Sequence, residues 1–145
     1  MKIAVRYQSR SGNTRKIADA IANSVGVTPM DISVPLGEDV DILFLGGGVY
    51  AGKCDESVEK FLRSLRVKVG MVYCFSTSST YSTILGPVKK ICEARGIPIS
   101  DQEFHCPGSF LLLHRGRPNQ EDLRKADIFG TNCKVWAAVA TESES

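Results

Sequence analysis

The sequence predicts an α/β fold, a doubly wound sheet of five parallel strands with helices on both faces. Three observations lead there. Short apolar runs alternate with stretches whose apolar residues recur every three or four positions, the order expected of strands separated by helices. The apolar runs are near-continuous rather than alternating, as strands buried on both faces require. Three of the four loops that follow the strands are rich in glycine or small polar residues, and such a sheet gathers those loops at one edge.

Each element has its own signal. "KIAVRYQ" is an apolar run fit for a buried strand. Beyond the Ser9–Thr14 loop, Ile17, Ile21 and Val25 recur every four residues with Ala18 and Ala22 beside them, and Gly26 is placed to end that helix. "TPMDIS" is a weak strand, kept to an edge by Pro29. "DILFLGGG" is a strongly apolar strand that stops at its three glycines. Asp55 can cap the next helix, whose face is Val58, Phe61, Leu62 and Leu65. "KVGMVYCFS" is a further buried strand. Pro87 suits the first turn of a helix carrying Val88, Ile91 and Cys92, closed by Gly96. "IPISDQEFHC" supplies the fifth strand. Asn119 then caps a last helix with Leu123, Ala126 and Phe129 on one face, continued by Cys133 and Trp136, and the polar "TESES" is expected to fray.

Composition narrows the function classes. A chain of 145 residues, 43% hydrophobic and 23% charged, reads as one domain over 1–145 with a core of its own. A net charge of +2 gives no strong field for nucleic acid, and no apolar run approaches membrane-spanning length. Cys54, Cys74, Cys92, Cys106 and Cys133 are odd in number and widely spaced, without a Cys-x-x-Cys pair. That argues for reduced thiols in a cytoplasm, not for a disulfide framework or a zinc site. The start lacks a secretory apolar region. His105 and His114 have no carboxylate or thiol cluster at ligand spacing.

The loops at the carboxyl ends of the strands carry the chemistry. Ser9, Ser11, Asn13 and Thr14 fall within six residues between a strand and a helix, more hydrogen-bonding capacity than a turn needs. Hydroxyls and backbone N–H groups at a helix N-terminus converge on an anion, and the helix dipole favours it. Gly12 lets the backbone come close, and Arg10 and Arg15 can add charge. The capping function alone would need only one such residue. The middle loop matches Gly-x-x-x-x-Gly-Lys from Gly47 to Lys53, but Cys54 stands where a P-loop has a magnesium-binding hydroxyl. Its Gly-x-Gly-x-x-Ala reading is a weak dinucleotide signal, misplaced after a later strand. The basic spot of His114, Arg115 and Arg117 reads as a solvated loop before a helix.

"YQSRSGNTRKIADAIA" resembles the flavodoxin signature, and the resemblance covers nearly the whole chain, in its short-chain form. It implies that Ser9, Arg10, Ser11, Gly12, Asn13 and Thr14 wrap the phosphate of FMN. It also implies that Gly48, Val49, Tyr50, Ala51 and Gly52 lie against one face of the flavin. Ser76, Thr77 and Ser78 would then meet the ring edge and Tyr81 would cover the second face. FMN supplies the redox chemistry, and the protein binds it and sets its potential. The implied role is a low-potential electron carrier between a separate flavin or iron–sulfur reductase and an acceptor enzyme. Such a carrier is expected to be a cytoplasmic monomer, without nucleic-acid or membrane partners and without catalytic residues of its own. Two other readings stand beside it: a small FMN enzyme that reduces a quinone directly with NAD(P)H, and a cofactor-free interaction domain. The chain departs from the acidic habit of the family in being slightly basic, with Lys53 in the loop after Tyr50.

Overall fold

A computed structural model describes residues 1–109 and 114–144, the last four as backbone only. The elements run β1 (Ile3–Tyr7), α1 (Asn13–Val25), β2 (Met30–Asp31), β3 (Val40–Tyr50), β4 (Lys53–Cys54), α2 (Glu56–Arg63), β5 (Val69–Ser78), α3 (Leu85–Arg95), β6 (Ile99–Pro107) and α4 (Gln120–Glu144). Five strands lie in the order β2-β1-β3-β5-β6, all parallel, and the two-residue β4 folds back antiparallel on β3. The order reverses between β1 and β3, which puts the crevice of a doubly wound sheet beyond their carboxyl ends.

Two apolar layers hold the sheet. Leu43, Leu45, Val72 and Cys74 pack against Val58 and Leu62 of α2 and Val88 and Cys92 of α3. Ile42, Phe44, Tyr73 and Phe75, the alternate residues of the same strands, pack against Ile17 and Ile21 of α1 and Ala126 and Cys133 of α4. Alternate residues of one strand thus serve opposite layers, which is why these runs are apolar throughout. Asp55 caps α2 by accepting the Ser57 N–H, and Asn119 Oδ1 accepts the Asp122 N–H at the start of α4. Gly26 and Gly96 close α1 and α3 in the left-handed conformation.

Three local expectations change. The β3 strand does not stop at its glycines but pairs with β5 through Gly46, Gly47, Gly48 and Val49. The glycines are there for close packing: a Cβ on Gly46 would stand 2.0 Å from the Phe75 ring. The apolar face of α4 includes Cys133 but not Trp136, which is exposed along with Ile128, Val135 and Val139. The helical backbone of α4 continues to Glu144, through all but the last residue of "TESES". No helix among the described residues is long and apolar enough to cross a membrane.

Candidate functional site

The four loops after β1, β3, β5 and β6 enclose a cavity of about 290 Å³. Arg10, Ser11 and Asn13 line it from the first loop and the start of α1. Val49, Tyr50 and Ala51 come from the end of β3, Thr77, Ser78 and Ser79 from the end of β5, and Gly108 and Ser109 from the loop after β6. A larger groove of about 590 Å³ lies on the other side of Ser9, between α2 and residues 31–36. It shares none of these residues, and the loop chemistry belongs to the smaller cavity.

The first loop is shaped by Gly12, which stands at the helix N-cap with φ of 91°, a conformation that favours glycine. Glycine brings no side-chain cap, and the first turn of α1 contains no carboxylate. Arg15 and Lys16 stand in that turn instead, at the end of the helix where positive charge is least favoured. The combination fits an anion. Ser9 Oγ accepts the Gly12 N–H at 3.0 Å, while Ser11 is exposed and lines the cavity. Asn13 and Thr14 are buried. Asn13 Nδ2 donates to the Ser109 carbonyl at 3.0 Å, and the Thr14 and Thr77 hydroxyls are hydrogen-bonded to each other at 2.8 Å. These two tie the start of α1 to the loop after β6 and to the end of β5.

Tyr50 is half-buried and heavily held. The Arg10 guanidinium lies over its ring at 3.8 Å from the centroid, and the Arg10 backbone N–H donates to its hydroxyl at 3.2 Å. Arg10 also donates to Asp55 Oδ2 at 3.0 Å. The other Asp55 oxygen takes the Ser57 N–H and hydroxyl, so the Ser57 bonds first and then Arg10 hold the Asp55 carboxyl below the usual range. With Arg10 more than half exposed, its stacking contributes about 0.5–1 kcal/mol and its ion pair at most about 1 kcal/mol.

Tyr81 differs. It is 66% exposed, sits in the left-handed region with φ of 64°, and does not line the cavity. Its contact is the edge of His114, with ring centroids 6.0 Å apart. His114 Nε2 also lies 3.2 Å from the Ser79 carbonyl. Ala51, Tyr81 and His114 are the non-glycine residues at positive φ among those described, and all three stand in these loops. Backbone strain of this kind gathers at functional sites.

Of the residues expected to hold a flavin, Arg10, Ser11, Asn13, Val49, Tyr50, Ala51, Thr77 and Ser78 line the cavity. Ser9, Gly12 and Thr14 shape the loop behind it. Gly48 lies under the Tyr50 ring, where a Cβ would come 2.4 Å from the hydroxyl. Gly52 belongs to the turn before β4, and Ser76 is buried with its Oγ accepting the Ile84 N–H. Ser79, Gly108 and Ser109 line the cavity without having been singled out. Their loops were legible as polar, but not which residue turns inward. Residues 110–113 of the last loop lie outside the described ones.

Among the described residues, the cavity lining holds no carboxylate, histidine or thiol. Burial pushes the Cys54, Cys106 and Cys133 thiols up to about 12 and Cys92 up to about 11, so they stay protonated at neutral pH. No group of three His, Cys, Asp or Glu residues gathers to hold a metal ion among the described residues.

Comparison with known proteins agrees with this architecture. The flavodoxin domain family matches residues 4–94. An uncharacterized protein of Methanocaldococcus jannaschii is 29% identical over 143 residues, covering 89% of this chain and 95% of its own. A flavodoxin from the domain Archaea superposes with a TM-score of 0.74 at 17% identity, covering 95% of this chain and 99% of that one. The rubredoxin oxygen:oxidoreductase of Desulfovibrio gigas gives 0.73 at 14% identity, with 95% of this chain matching 36% of that larger one.

Proposed function

Because the chain belongs to the flavodoxin domain family, we propose that it binds FMN in this cavity and carries electrons between a separate reductase and an acceptor enzyme. The observation that carries the reading is the first loop: a glycine-capped helix N-terminus with two cations and no carboxylate in its first turn, opening beside an aromatic-lined cavity. A volume of about 290 Å³ suits one ring system and its chain better than a dinucleotide. FMN supplies electron transfer when bound. The residues here supply the rest. Ser11 and the backbone N–H groups of the first turn hold the phosphate, Tyr50 stacks on the ring, and Thr77, Ser78 and Ser79 face its edge.

A carrier is favoured over a quinone-reducing enzyme by the lining. Among the described residues it offers no carboxylate, histidine or thiol to move a proton to a substrate. Stopped-flow mixing with NAD(P)H and no added reductase separates the two: a carrier stays oxidised. The phosphate assignment is tested at Ser11, because Thr14 is already committed to Thr77. Ser11→Ala should weaken FMN about 10- to 100-fold, the loss of about 1.5–3 kcal/mol expected for a hydrogen bond to a charged group, and leave riboflavin unchanged. Equal losses for both ligands in a fluorescence titration overturn it.

A further inference from the structure

The charge of this chain is unevenly placed. The four loops after β1, β3, β5 and β6, residues 8–12, 51–55, 79–84 and 108–119, carry Arg10, Lys53, Arg115 and Arg117 against Asp55 alone. Of 18 cationic side chains and 16 carboxylates, the other 14 and 15 nearly cancel. The positive charge is therefore gathered at the cavity mouth.

Pairing sharpens the pattern. Arg10 is taken by Asp55, and Arg117 makes a two-pronged pair with Asp122. Lys53 and Arg115 are exposed and make no ion pair among the described residues, and Arg15 and Lys16 in the first turn of α1 are likewise unpaired. The carboxylates in the neighbouring first turns are mostly spent: Glu59 pairs with Arg63 and Glu121 with Arg124. Glu56 alone is exposed and unpaired there. Among the described residues, Lys53 and Arg115 on these loops and Arg15 and Lys16 in the adjoining turn of α1 thus carry no ion pair, against Glu56 in the first turn of α2 and Asp31 at the end of β2.

We propose that this rim docks a protein partner whose contact face is rich in carboxylates. The inference rests on the reading of the cavity as a flavin site, which makes the rim the place where a redox partner must approach. Opposed charge steers and orients a short-lived encounter, and small polar interfaces suit electron-transfer complexes. Two other polyanions fit less well. A few free cations are too few to hold nucleic acid at physiological salt. For an anionic membrane, the described residues of these loops expose one large apolar side chain, Tyr81.

Paramagnetic ions map such a surface whether or not flavin is bound. Hexacyanochromate(III), a trivalent anion, is added to the isotope-labelled full chain at low salt, with tris(ethylenediamine)chromium(III) as the cationic control. An anion lodging in the first loop would broaden residues 9–15, so the diagnostic amides are those flanking Lys53 and Arg115. The expected result is selective broadening there by the anion and not the cation, relief by an octaglutamate peptide, and at least a fivefold loss in the Lys53→Glu/Arg115→Glu variant. Even broadening over the surface, or broadening centred on Lys60–Lys68 or Lys89–Arg95, overturns the proposal. So does relief by a single-stranded oligonucleotide at lower concentration than by octaglutamate. Flavin uptake is scored separately by absorbance, so a basic mouth without flavin binding removes the function reading and leaves the surface, and the reverse outcome does the opposite.

Discussion

The two tyrosines at the cavity mouth live under different rules. Tyr50 ends a central strand and is held two ways, by Arg10 stacked on one face of its ring and by the Arg10 N–H on its hydroxyl, while Gly48 leaves room for its hydroxyl end. Tyr81 stands on a loop without regular structure, exposed, at a strained φ, touching only the edge of His114 among aromatic rings. One is a pre-formed platform. The other is a side chain whose position depends on two loops staying together. Sequence position alone makes them look equivalent, and the difference comes from what each has behind it.

The limb behind Tyr81 has one strong anchor, which yields the largest expected effect. Arg117 donates from Nε to Asp122 Oδ2 at 2.6 Å and from a terminal nitrogen to Oδ1 at 2.7 Å, and the Asn119 N–H adds a third bond at 2.8 Å. Asp122 is buried, so Asp122→Asn should cost about 2–3 kcal/mol, at or below the low end of the range for a broken buried pair because Arg117 is partly exposed. The Arg117 bonds first, helped by the Asn119 N–H and opposed by burial, hold the Asp122 carboxyl below its ordinary value. A carboxylate whose folded pKa is depressed stabilises above its unfolded pKa, near 3.9, and loses that contribution as pH falls through the folded value. Thermal unfolding should therefore separate wild type from variant widely at pH 7, with the gap closing below about pH 4. A gap constant with pH would remove the ion pair from the account.

Next comes the ring platform itself. Tyr50→Ala should weaken FMN and riboflavin alike by about 10- to 100-fold, from a stacking contribution of about 1–3 kcal/mol. Tyr81→Ala should change either by less than about threefold, since the ring lies outside the cavity lining. Flavin fluorescence titrations of both variants check this. Equal losses would mean that the Tyr81 limb closes over the ligand, and the comparison above would fail.

What was legible in the sequence follows the range of the interactions. Helix faces, the Asp55 and Asn119 caps and the glycine stops are local, and periodicity or a single polar residue announces them. The glycine stretch of β3 was misleading because its cause is Phe75 on the neighbouring strand, nearly thirty positions away. Trp136 fits the helical period, yet after Cys133 it is Ala137, one position further on, that packs on the core, and Trp136 is left exposed off that face. The Arg10–Tyr50–Asp55 contact joins residues 40 and 45 positions apart, so nothing local distinguishes Arg10 as a brace from Arg10 as a phosphate ligand.

That ambiguity gives a smaller test. If Arg10 braces Tyr50, Arg10→Ala should weaken FMN and riboflavin equally, by about threefold to fivefold, in line with a partly exposed stacking and ion-pair contribution of about 1 kcal/mol or less. Asp55→Asn should reproduce part of the loss, and the double variant should add little to Arg10→Ala alone. A loss confined to FMN would return Arg10 to the phosphate.

The smallest effect is expected at Lys53. It pairs across the β3–β4 turn from Tyr50, is exposed, and makes no ion pair among the described residues. Reduction adds negative charge to a bound flavin, so a nearby cation favours the reduced form and raises the potential. At a separation on the order of 10 Å and an effective dielectric near 20, one unit charge is worth at most about 1.7 kcal/mol. Solvent and salt cut that to well under 1 kcal/mol at an exposed site. For a one-electron step 59 mV corresponds to about 1.4 kcal/mol, so Lys53→Gln, which removes one unit charge, should lower the second-electron potential by about 10–40 mV at low salt, with the shift shrinking as salt is added. Arg10 lies on the Tyr50 ring itself, and neutralising it should move the potential at least as far as neutralising Lys53. Potentiometric titration of the three proteins orders the two charges: a larger shift at Lys53 than at Arg10 would place the ring nearer the β3–β4 turn than the clasped face of Tyr50.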